Sequence, residues 1–534
     1  MKKKQCFYVL FIIAVMGMLL IPFALKPGFG SGFEEDFAFR DAFITAGSWV
    51  KSQLFHTSSQ DNVVVGREGY LFYGSSLKDY LGLDVLTDKK TDNIVSNLER
   101  LQDNLESRGI QFVFAIAPNK NSLYGEYMPD VYQKLKKGDG TREKLTALLK
   151  KRDVNYVDLY ELFEKEKNVF YHRTDSHWNN AGAAMVCENL LGALGKECTD
   201  YAGVKTEIKN DFEGDLFRML YPAAVGTEEE IYYQKTWNYT FDREIKSLFD
   251  LQIETSNQKK KGSVVVFRDS FGNSMLPFVA DEYGKALFSR SMPIEAERAV
   301  ERNANHVIME IVERNLELLQ TEAPVVISRQ MKNLSVPDFV LPEYNGNVTV
   351  ENGSRIHIQG NLDRAQSSVS MDTYVRLYQR ESRKAFLYET FRQEGSRGDG
   401  YGFSAYLDSE ELPEGTYEIS LVNDERGAMS RTPVLAEVSV KSSADTGNTK
   451  KNRKHTADSD GAAVSGLAEA ENMVGRDISD LIAVVGEPLD YMTAASCESS
   501  GEDGQYQFEG FTVYTQSEER GGTQIIKEVL KEYK

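Results

Sequence analysis

Between residues 91 and 311 the chain alternates short apolar runs with amphipathic stretches of helical period. The run Gln111–Ala117 holds a single polar residue and follows a stretch whose apolar side chains recur every three or four residues. Strands that are apolar on both faces are typical of parallel sheets that helices cover from both sides. The alternation therefore predicts an α/β domain with a parallel sheet over about residues 61–330.

The predicted strands of this domain are 111–117, 155–159, 263–267 and 306–311, and a hairpin is predicted near 66–73. The predicted helices are 91–108, 141–152, 179–194 and a short one near 295–304. Residues 203–260 are polar and aromatic, which predicts an insertion near the cleft rather than a part of the sheet. Two roles stay open for its Tyr and Trp side chains: stacking on sugar rings, and packing a small core of the insertion itself.

The second half of the chain follows a different pattern. Residues 337–441 alternate with period two in short runs divided by Gly, Asn, Asp and Pro, which predicts an antiparallel β-sandwich with a candidate carbohydrate-binding surface. Residues 442–470 are rich in small and polar residues and are predicted to be a flexible linker. Residues 471–534 are predicted to be a small α+β module. A chain of 534 residues is long enough for several such domains.

The N-terminus combines a positive flank with a long apolar run. Residues 2–4 are lysines, and the twenty residues 6–25 carry no charge. At about 1.5 Å per residue, such a helix spans the roughly 30 Å core of a bilayer, and the positive flank keeps the N-terminus in the cytoplasm. We predict a cytoplasmic tip and transmembrane helix at 1–30, a connector at 31–60 and an extracytoplasmic location for the rest. A cleaved signal peptide is the alternative.

Charge and cysteine content argue against several classes of protein. A formal net charge of −19 argues against nucleic-acid binding, which requires a basic surface. Glycine-rich phosphate motifs are missing in the right context, so no nucleotide cofactor is expected. The four cysteines form no CxxC pair and no Cys/His cluster, so no structural metal site is expected. Cys187 and Cys198 are either a disulfide or two buried thiols.

Two short segments carry the residue types of an acyl-transfer site. Asp175 and His177 stand two apart, a spacing at which extended chain points both side chains to one side. Ser270 lies just past the predicted strand 263–267, where ligands of open α/β sheets bind. A nucleophilic serine needs a base and an acid that orients the base, so these three residues are predicted to form a triad. The alternatives are a surface ion pair, a helix-capping serine, and a metal site that lacks a third ligand.

The blocks around these residues resemble one family. Residues 175–178 are DSHW, 180–183 are NAGA, and 269–274 are DSFGNS. Further similar blocks lie at 66–73, 118–124, 212–216 and 310–314. In this order the blocks resemble the SGNH hydrolase-like domain of the AlgX/AlgJ group, which includes firmicute DHHW proteins, over roughly residues 60–325.

The resemblance implies a three-layer α/β fold and O-acetyl transfer to extracytoplasmic polysaccharide. It assigns Ser270 as the nucleophile and His177 and Asp175 as its partners. The oxyanion hole of ordinary SGNH enzymes is not recognisable, and the Ser270 N–H with Arg268 or Asn273 is the candidate replacement. Residues in or beside the similar blocks are candidates for contact with substrate: Trp178, Lys120, Tyr124 and Arg314.

A two-step mechanism follows from the triad. His177 deprotonates Ser270, which takes the acetyl group, and His177 then activates the sugar hydroxyl that attacks the acetyl-serine. No cofactor is expected, since the resemblance implies an acetyl donor delivered by a membrane-bound O-acyltransferase or an acyl carrier. Two alternatives stay open: an acetylesterase with the same triad, and a non-catalytic protein that binds or assembles wall polymers.

Overall fold

The computed structural model describes residues 39–353, 355–369, 371–440, 459–495, 501–519 and 521–532. The predicted transmembrane segment 6–25 lies outside these residues. Among the helices that are described, none is long and apolar enough to cross a membrane. The predicted connector 31–60 contains helix α1, Arg40–Phe55.

The α/β part of the chain alternates strands and helices. Its strands are β1 (Val63–Val65), β2 (Leu71–Tyr73), β3 (Gln111–Ala117), β4 (Tyr156–Val157), β5 (Thr206–Phe212), β6 (Glu228–Tyr233), β7 (Thr240–Phe241), β8 (Gln252–Ser256), β9 (Ser263–Phe267), β10 (Lys285–Ser289) and β11 (His306–Val312). Its helices are α2 (Leu77–Leu81), α3 (Asp88–Glu106), α4 (Lys120–Leu123), α5 (Asp130–Leu135), α6 (Thr141–Leu149), α7 (Leu159–Glu164), α8 (Asn180–Ala193), α9 (Asp215–Leu220), α10 (Gly272–Ala280), α11 (Glu297–Glu301) and α12 (Leu318–Thr321).

A seven-stranded sheet in the order β4-β3-β11-β9-β10-β8-β7 forms the centre of this part. From β4 to β10 each strand is parallel to its neighbour, as the apolar sequences of β3, β9 and β11 predict. At the other edge, β8 pairs antiparallel with β10 and with β7. The sheet is therefore mixed, and the prediction of a parallel sheet is wrong at this edge.

The predicted insertion 203–260 is an insertion only in part. Its strands β7 and β8 complete the central sheet, whereas β5 and β6 stand apart as a two-stranded antiparallel sheet. The sequence of β8, Gln-Ile-Glu-Thr-Ser, does not predict a strand of the central sheet, because four of its five residues are polar. The aromatic rings of Tyr233 and Trp237 pack edge-on against Phe278 of α10, at 5.7 and 5.5 Å between ring centres. These two side chains therefore pack a core.

Helices cover both faces of the sheet. Along β3 the side chains alternate between two buried clusters, with Val113 on one face and Phe112 on the other. Helices α8 and α10 pack in the first cluster, and α3 and α6 pack in the second. This gives the expected three-layer arrangement, with the carboxyl ends of the parallel strands at one edge. Cys187 lies in the first cluster and is, like Cys198, a free thiol.

Two antiparallel sheets follow in the region predicted to be a β-sandwich. The strands are β12 (Asn347–Asn352), β13 (Arg355–Asn361), β14 (Asp372–Gln379), β15 (Lys384–Glu389), β16 (Phe391–Gln393), β17 (Gly402–Asp408), β18 (Gly415–Glu425), β19 (Ala428–Arg431) and β20 (Ala436–Val440). One sheet has the order β12-β13-β17-β16 and the other β15-β14-β18-β19, with β20 also on β18. The sheets enclose one apolar cluster, and the Asn97 amide of α3 donates to the Arg392 carbonyl of β16 at 2.7 Å.

The C-terminal part contains helices and a four-stranded antiparallel sheet. Its elements are α13 (Ser459–Asn472), α14 (Ile478–Val485), β21 (Asp490–Ala495), β22 (Glu502–Phe508), β23 (Phe511–Gln516) and β24 (Ile525–Lys531). Helix α13 begins inside the predicted linker 442–470, so the linker prediction is wrong from residue 459 onward. The alanine and glutamate content of α13 favours a helix. Residues 441–458 lie outside the described part of the chain.

The C-terminal sheet packs against the edge of the central sheet. Arg298 of α11 forms an ion pair with Asp490 at 2.7 Å. The backbone N–H of Gln252 in β8 donates to Gln505 Oε1 at 3.1 Å. The C-terminal sheet thus contacts β8, although the two are 253 residues apart at Gln252 and Gln505. This contact explains why a polar strand is buried in the central sheet.

Candidate active site

Ser270 stands in a tight turn at the carboxyl edge of the sheet. Strand β9 ends at residue 267 and helix α10 begins at residue 272. The Asp269 carboxylate holds the turn, because it accepts the N–H of Phe271 at 3.0 Å and that of Val312, at the end of β11, at 2.7 Å. The serine is thus fixed between two neighbouring parallel strands, where ligands of such sheets bind.

Asp175 and His177 lie in a short loop that leads into helix α8. An antiparallel bridge between Tyr171 and Trp178 closes the loop, and Asn179 caps α8 by accepting the Gly182 N–H at 2.9 Å. The loop is short because the two bridge residues are only seven apart. This local geometry presents the His177 ring to the serine turn.

The structure brings the three predicted triad residues together. His177 Nε2 lies 2.9 Å from Ser270 Oγ, and His177 Nδ1 lies 2.7 Å from Asp175 Oδ1. The same Asp175 oxygen accepts the backbone N–H of His177 at 2.8 Å. Ser270 and Asp175 are buried and His177 is partly buried. The arrangement gives the serine hydroxyl a base, and it gives the base a carboxylate that fixes its tautomer.

The charges of the pair shift both pKa values. Burial alone would lower the pKa of His177, but the charge of Asp175 and its hydrogen bond outweigh burial and raise it above the ordinary value. Burial would raise the pKa of Asp175, but the charge and hydrogen bond of His177, with two backbone N–H donors, lower it. Asp175 is therefore a carboxylate in the folded protein, and His177 is a stronger base than a free imidazole.

Asp215 is a further residue of this site, and sequence reasoning missed it. Its backbone N–H donates to Asp175 Oδ2 at 2.8 Å, and its carboxylate accepts the Ser176 N–H at 2.8 Å and the Ser176 hydroxyl at 2.6 Å. Burial and then the charge of Asp175 raise the pKa of Asp215. Asp215 stands in the similar block 212–216, but its sequence position carries no sign of its partners.

Asp175, His177 and Asp215 are also the residues that could hold a metal ion. One ligand atom from each lies within 4.8 Å of the other two. Their oxygens already accept hydrogen bonds from the backbone, from Ser176 and from the His177 ring. This donor set satisfies the carboxylates without a cation, and it favours the triad geometry over a metal site.

The structure does not place Lys120 where substrate could contact it. Its side chain is buried, and its Nζ donates to the carbonyls of His172, Arg173 and Asp175 at 3.1, 3.0 and 2.6 Å. Burial lowers the pKa of Lys120 to about 8. All three ammonium protons are thus donated to carbonyls of the Asp175 loop. Lys120 therefore stabilises the loop that carries Asp175 and His177.

Trp178 and Tyr124 are likewise packed inside the domain. The buried Trp178 ring donates from Nε1 to Ser274 Oγ in α10 at 2.7 Å, which joins the histidine loop to the serine helix. The Tyr124 hydroxyl accepts the Phe170 N–H at 3.0 Å. Trp178 is buried, so the prediction that it contacts substrate is wrong. Tyr124 contacts Phe170, which precedes the Asp175 loop.

Comparison with known proteins finds one matching family model. Residues 63–254 match the family described as SGNH hydrolase-like domain, acetyltransferase AlgX. Over these residues the chain is similar to the SGNH hydrolase-like domain of AlgX and AlgJ proteins. The matched residues include Asp175, His177 and Asp215, whereas Ser270 lies beyond them.

Curated proteins match the chain at low identity. The chain is 27% identical over 175 residues to the probable alginate O-acetylase AlgJ of Pseudomonas putida. The matched region covers 32% of this chain and 44% of that protein. The AlgJ of Pseudomonas aeruginosa is 25% identical over 168 residues, with 31% and 41% covered. The chain thus spans less than half the length of these two relatives.

Several solved structures are similar at still lower identity. PatB1 of Bacillus cereus is 16% identical, with a TM-score of 0.39 and 49% of this chain and 99% of that chain covered. The DHHW family protein of Eubacterium siraeum is 16% identical, with a TM-score of 0.36 and coverage of 48% and 94%. The O-acetyltransferase domain of Pseudomonas putida AlgJ is 17% identical, with a TM-score of 0.32 and coverage of 48% and 92%. TM-scores this low carry no conclusion.

Arg268 is buried and is not placed as an oxyanion donor. Its guanidinium donates to the carbonyls of segment 248–250 at 3.0 and 3.1 Å and to the side-chain oxygen of Asn273. Burial lowers the pKa of Arg268 to about 9. Arg268 fixes the Asn273 side chain through its oxygen. Among the described residues the Asn273 amide nitrogen makes no hydrogen bond. The Ser270 N–H and this amide are the remaining candidates for an oxyanion hole.

Arg314 is the predicted contact residue that does lie beside the triad. Its guanidinium carbon is 5.4 Å from the centre of the Phe271 ring and 5.0 Å from that of Tyr73. The Phe271 ring in turn meets the His177 ring edge-on at 4.8 Å. Arg314 is partly exposed, so a cation stands close to the triad and within reach of solvent.

A cleft of about 720 Å³ adjoins the Asp175 loop. Thr174, the residue before Asp175, forms part of its wall, and Tyr70, Phe217 and Tyr221 add aromatic surface. Aromatic side chains with a few polar groups are typical of pockets that bind small molecules.

Proposed function

We propose that the chain is a membrane-anchored, extracytoplasmic O-acetyltransferase that acts on a cell-surface or wall polysaccharide through Ser270, His177 and Asp175. One observation carries the proposal: His177 is hydrogen-bonded to Ser270 Oγ at 2.9 Å on one side and to Asp175 at 2.7 Å on the other. The matched family is that of an acetyltransferase and the similar proteins are probable alginate O-acetylases, which supports the acetyl group as the one transferred.

In the first step, His177 takes the Ser270 proton as Oγ attacks the acetyl carbonyl of the donor. The imidazolium then gives this proton to the leaving group, and acetyl-serine remains. In the second step, His177 takes the proton of a sugar hydroxyl that attacks the acetyl-serine, and Ser270 recovers a proton as it leaves. Asp175 stays ionised throughout and stabilises the imidazolium. The Ser270 N–H and the Asn273 amide bind the oxyanion that forms in each step.

The donor and the location complete the proposal. Residues 6–25 anchor the chain in the cell membrane, with the N-terminus in the cytoplasm and the α/β domain outside. No cofactor takes part, because a membrane-bound O-acyltransferase or an acyl carrier supplies the acetyl group. The antiparallel sheets of strands β12 to β20 hold the polysaccharide, and the cleft beside Thr174 receives the sugar that is acetylated.

The proposal is tested with the full chain in detergent, an activated acetyl ester and a panel of wall oligosaccharides. We expect acetylated sugar by mass spectrometry with the wild type and none with Ser270→Ala. Free acetate as the sole product with every acceptor would instead identify an acetylesterase. Polysaccharide binding without turnover of any acetyl ester would contradict an enzymatic role altogether.

A further inference from the structure

Strand β5 forms the exposed edge of the small antiparallel sheet that it makes with β6. Among the described residues, no strand pairs with β5 on the side away from β6. Residues 206–211 are exposed along their whole run, and Ile208 is 61% exposed. Such an edge presents N–H and C=O groups on which a further strand can pair. Two-stranded sheets also gain stability when strands are added to them.

The pairing with β6 shows which backbone groups of β5 face outward. The Gln234 N–H donates to the Lys205 carbonyl at 2.8 Å. Along an antiparallel ladder, residues bonded to the partner alternate with residues whose N–H and C=O groups point away from it. The groups of Thr206, Ile208 and Asn210 therefore point away from β6, toward the side where another strand would bind.

The side chains on one face of β5 alternate in charge. Glu207 and Lys209 lie on the same face and form an ion pair at 3.5 Å. Asp211 lies on this face as well, because the Tyr232 hydroxyl donates to it at 2.9 Å and the Lys209 ammonium stands 5.2 Å from the centre of the same ring. Lys205 precedes Glu207 by two residues, so the row reads plus, minus, plus, minus along the strand.

This row of charges is complementary to itself. When two copies of β5 pair antiparallel about a two-fold axis at Ile208, Glu207 of each copy faces Lys209 of the other. In the same register Lys205 faces Asp211. Opposite charges at facing positions stabilise a sheet, and like charges destabilise it. Moving the axis by one residue would place Lys209 opposite Lys209 or Glu207 opposite Glu207, so the charges favour the axis at Ile208.

We propose that β5 is the surface through which two copies of this chain pair, with the two-fold axis at Ile208. The paired copies share a four-stranded sheet in the order β6-β5-β5-β6, and each contributes the same surface to the contact. Seven residues a side is fewer than the about 20–30 of a standard interface. The dimer should therefore be weak and should form at micromolar concentrations of the chain.

The pairing also bears on the triad, because β6 holds the loop that precedes Asp175. The Glu228 carboxylate accepts the N–H of Arg173 at 2.6 Å and that of Thr174 at 2.8 Å. The added strands stabilise the sheet that makes these bonds. The pairing itself depends only on β5 and does not require that the chain transfer acetyl groups.

Charge reversal tests the pairing. We would measure the mass of the full chain in detergent by sedimentation equilibrium over a range of micromolar concentrations. Glu207→Lys and Lys209→Glu each place like charges opposite one another at two positions, and each should raise the Kd of the dimer roughly tenfold. The double variant Glu207→Lys with Lys209→Glu restores opposite charges and should dimerise like the wild type. Glu410→Lys, at an exposed glutamate of the antiparallel sheets, is the matched control and should not change the Kd.

Cross-linking tests the register. In the proposed dimer the two copies of residue 208 face one another with Cα atoms about 5.5 Å apart, which suits a disulfide, whereas the two copies of residue 210 lie about 13 Å apart. We expect Ile208→Cys to form a disulfide-linked dimer on oxidation, and Asn210→Cys to form no more than the wild type. A wild type that stays monomeric would overturn the proposal. So would a dimer that single reversals do not weaken or the double reversal does not restore, and so would equal cross-linking of both cysteine variants.

Discussion

At the scale of single residues, the charge of Asp175 sets the strength of His177 as a base. His177 must be neutral to accept a proton, so kcat/KM should rise with pH through the pKa of His177. Asp175 raises that pKa, and the rise should therefore lie above the ordinary value of about 6.5.

Asp175→Asn tests this link. Without the carboxylate the imidazolium is less stable, so the pKa of His177 falls and the rising limb of the pH profile moves to lower pH. The loss of the oriented base should lower kcat by roughly 10³- to 10⁴-fold. The profile of acetyl-ester turnover measures both effects. Asp88→Asn, at an exposed aspartate, is the control, and an unchanged limb in Asp175→Asn would contradict the account.

Lys120 gives a prediction about stability. In Lys120→Met three backbone carbonyls lose their donor, which should destabilise the protein by roughly 2–4 kcal/mol. The midpoint of thermal unfolding should fall accordingly, and kcat should fall because the Asp175 loop loses its support. Lys78→Met removes an exposed lysine and should change stability by about 0.5 kcal/mol or less. Equal unfolding midpoints for the two variants would show that Lys120 does not stabilise the Asp175 loop.

At the scale of elements, the contact between α9 and the Asp175 loop is set by a glycine. A Cβ on Gly214 would lie 2.3 Å from the Thr174 carbonyl oxygen. Gly214→Ala should therefore push α9 away, break the Asp215 N–H bond to Asp175, and cost roughly 1–3 kcal/mol with a loss of kcat. Gly192 in α8 has open space around it, so Gly192→Ala should raise stability by about 0.5–1 kcal/mol. Similar unfolding midpoints in both variants would contradict this packing.

The elements that sequence patterns predict are those whose own residues decide their structure. Strands β3, β9 and β11 are apolar along their length, and helix α3 has a regular apolar face. Sequence patterns do not predict strand β8, because its residues are polar and a distant part of the chain buries it. They do not predict helix α13, because its sequence is rich in small residues. In the candidate site, the spacing of Asp175 and His177 predicts their contact. The role of Lys120 depends on carbonyls that no motif identifies.

At the scale of the whole molecule, the C-terminal sheet is connected to the serine turn by a chain of hydrogen bonds. The Tyr514 hydroxyl donates to the Asp250 carboxylate at 2.7 Å. The Asp250 carbonyl accepts from Arg268 at 3.1 Å, and Arg268 also holds Asn273, three residues after Ser270. The Tyr514–Asp250 contact joins positions 264 residues apart in sequence, so sequence patterns could not predict it.

Tyr514→Phe tests whether this connection positions the serine turn. The change removes one hydrogen bond to a charged group, worth roughly 1.5–3 kcal/mol, and should lower kcat severalfold with little change in KM. Tyr491→Phe alters an exposed tyrosine of the same sheet and should leave both constants unchanged. If Tyr514→Phe lowers the unfolding midpoint but not kcat, the C-terminal sheet only stabilises the fold.

The central claim is that Ser270 carries the acetyl group between donor and sugar. The most direct measurement is peptide mapping by mass spectrometry of the full chain, quenched in acid during turnover of an activated acetyl ester. We predict an acetyl group on Ser270 in the wild type and none in His177→Ala or Ser270→Ala. Acetylation of a different residue during turnover, or wild-type turnover by Ser270→Ala, would contradict the account.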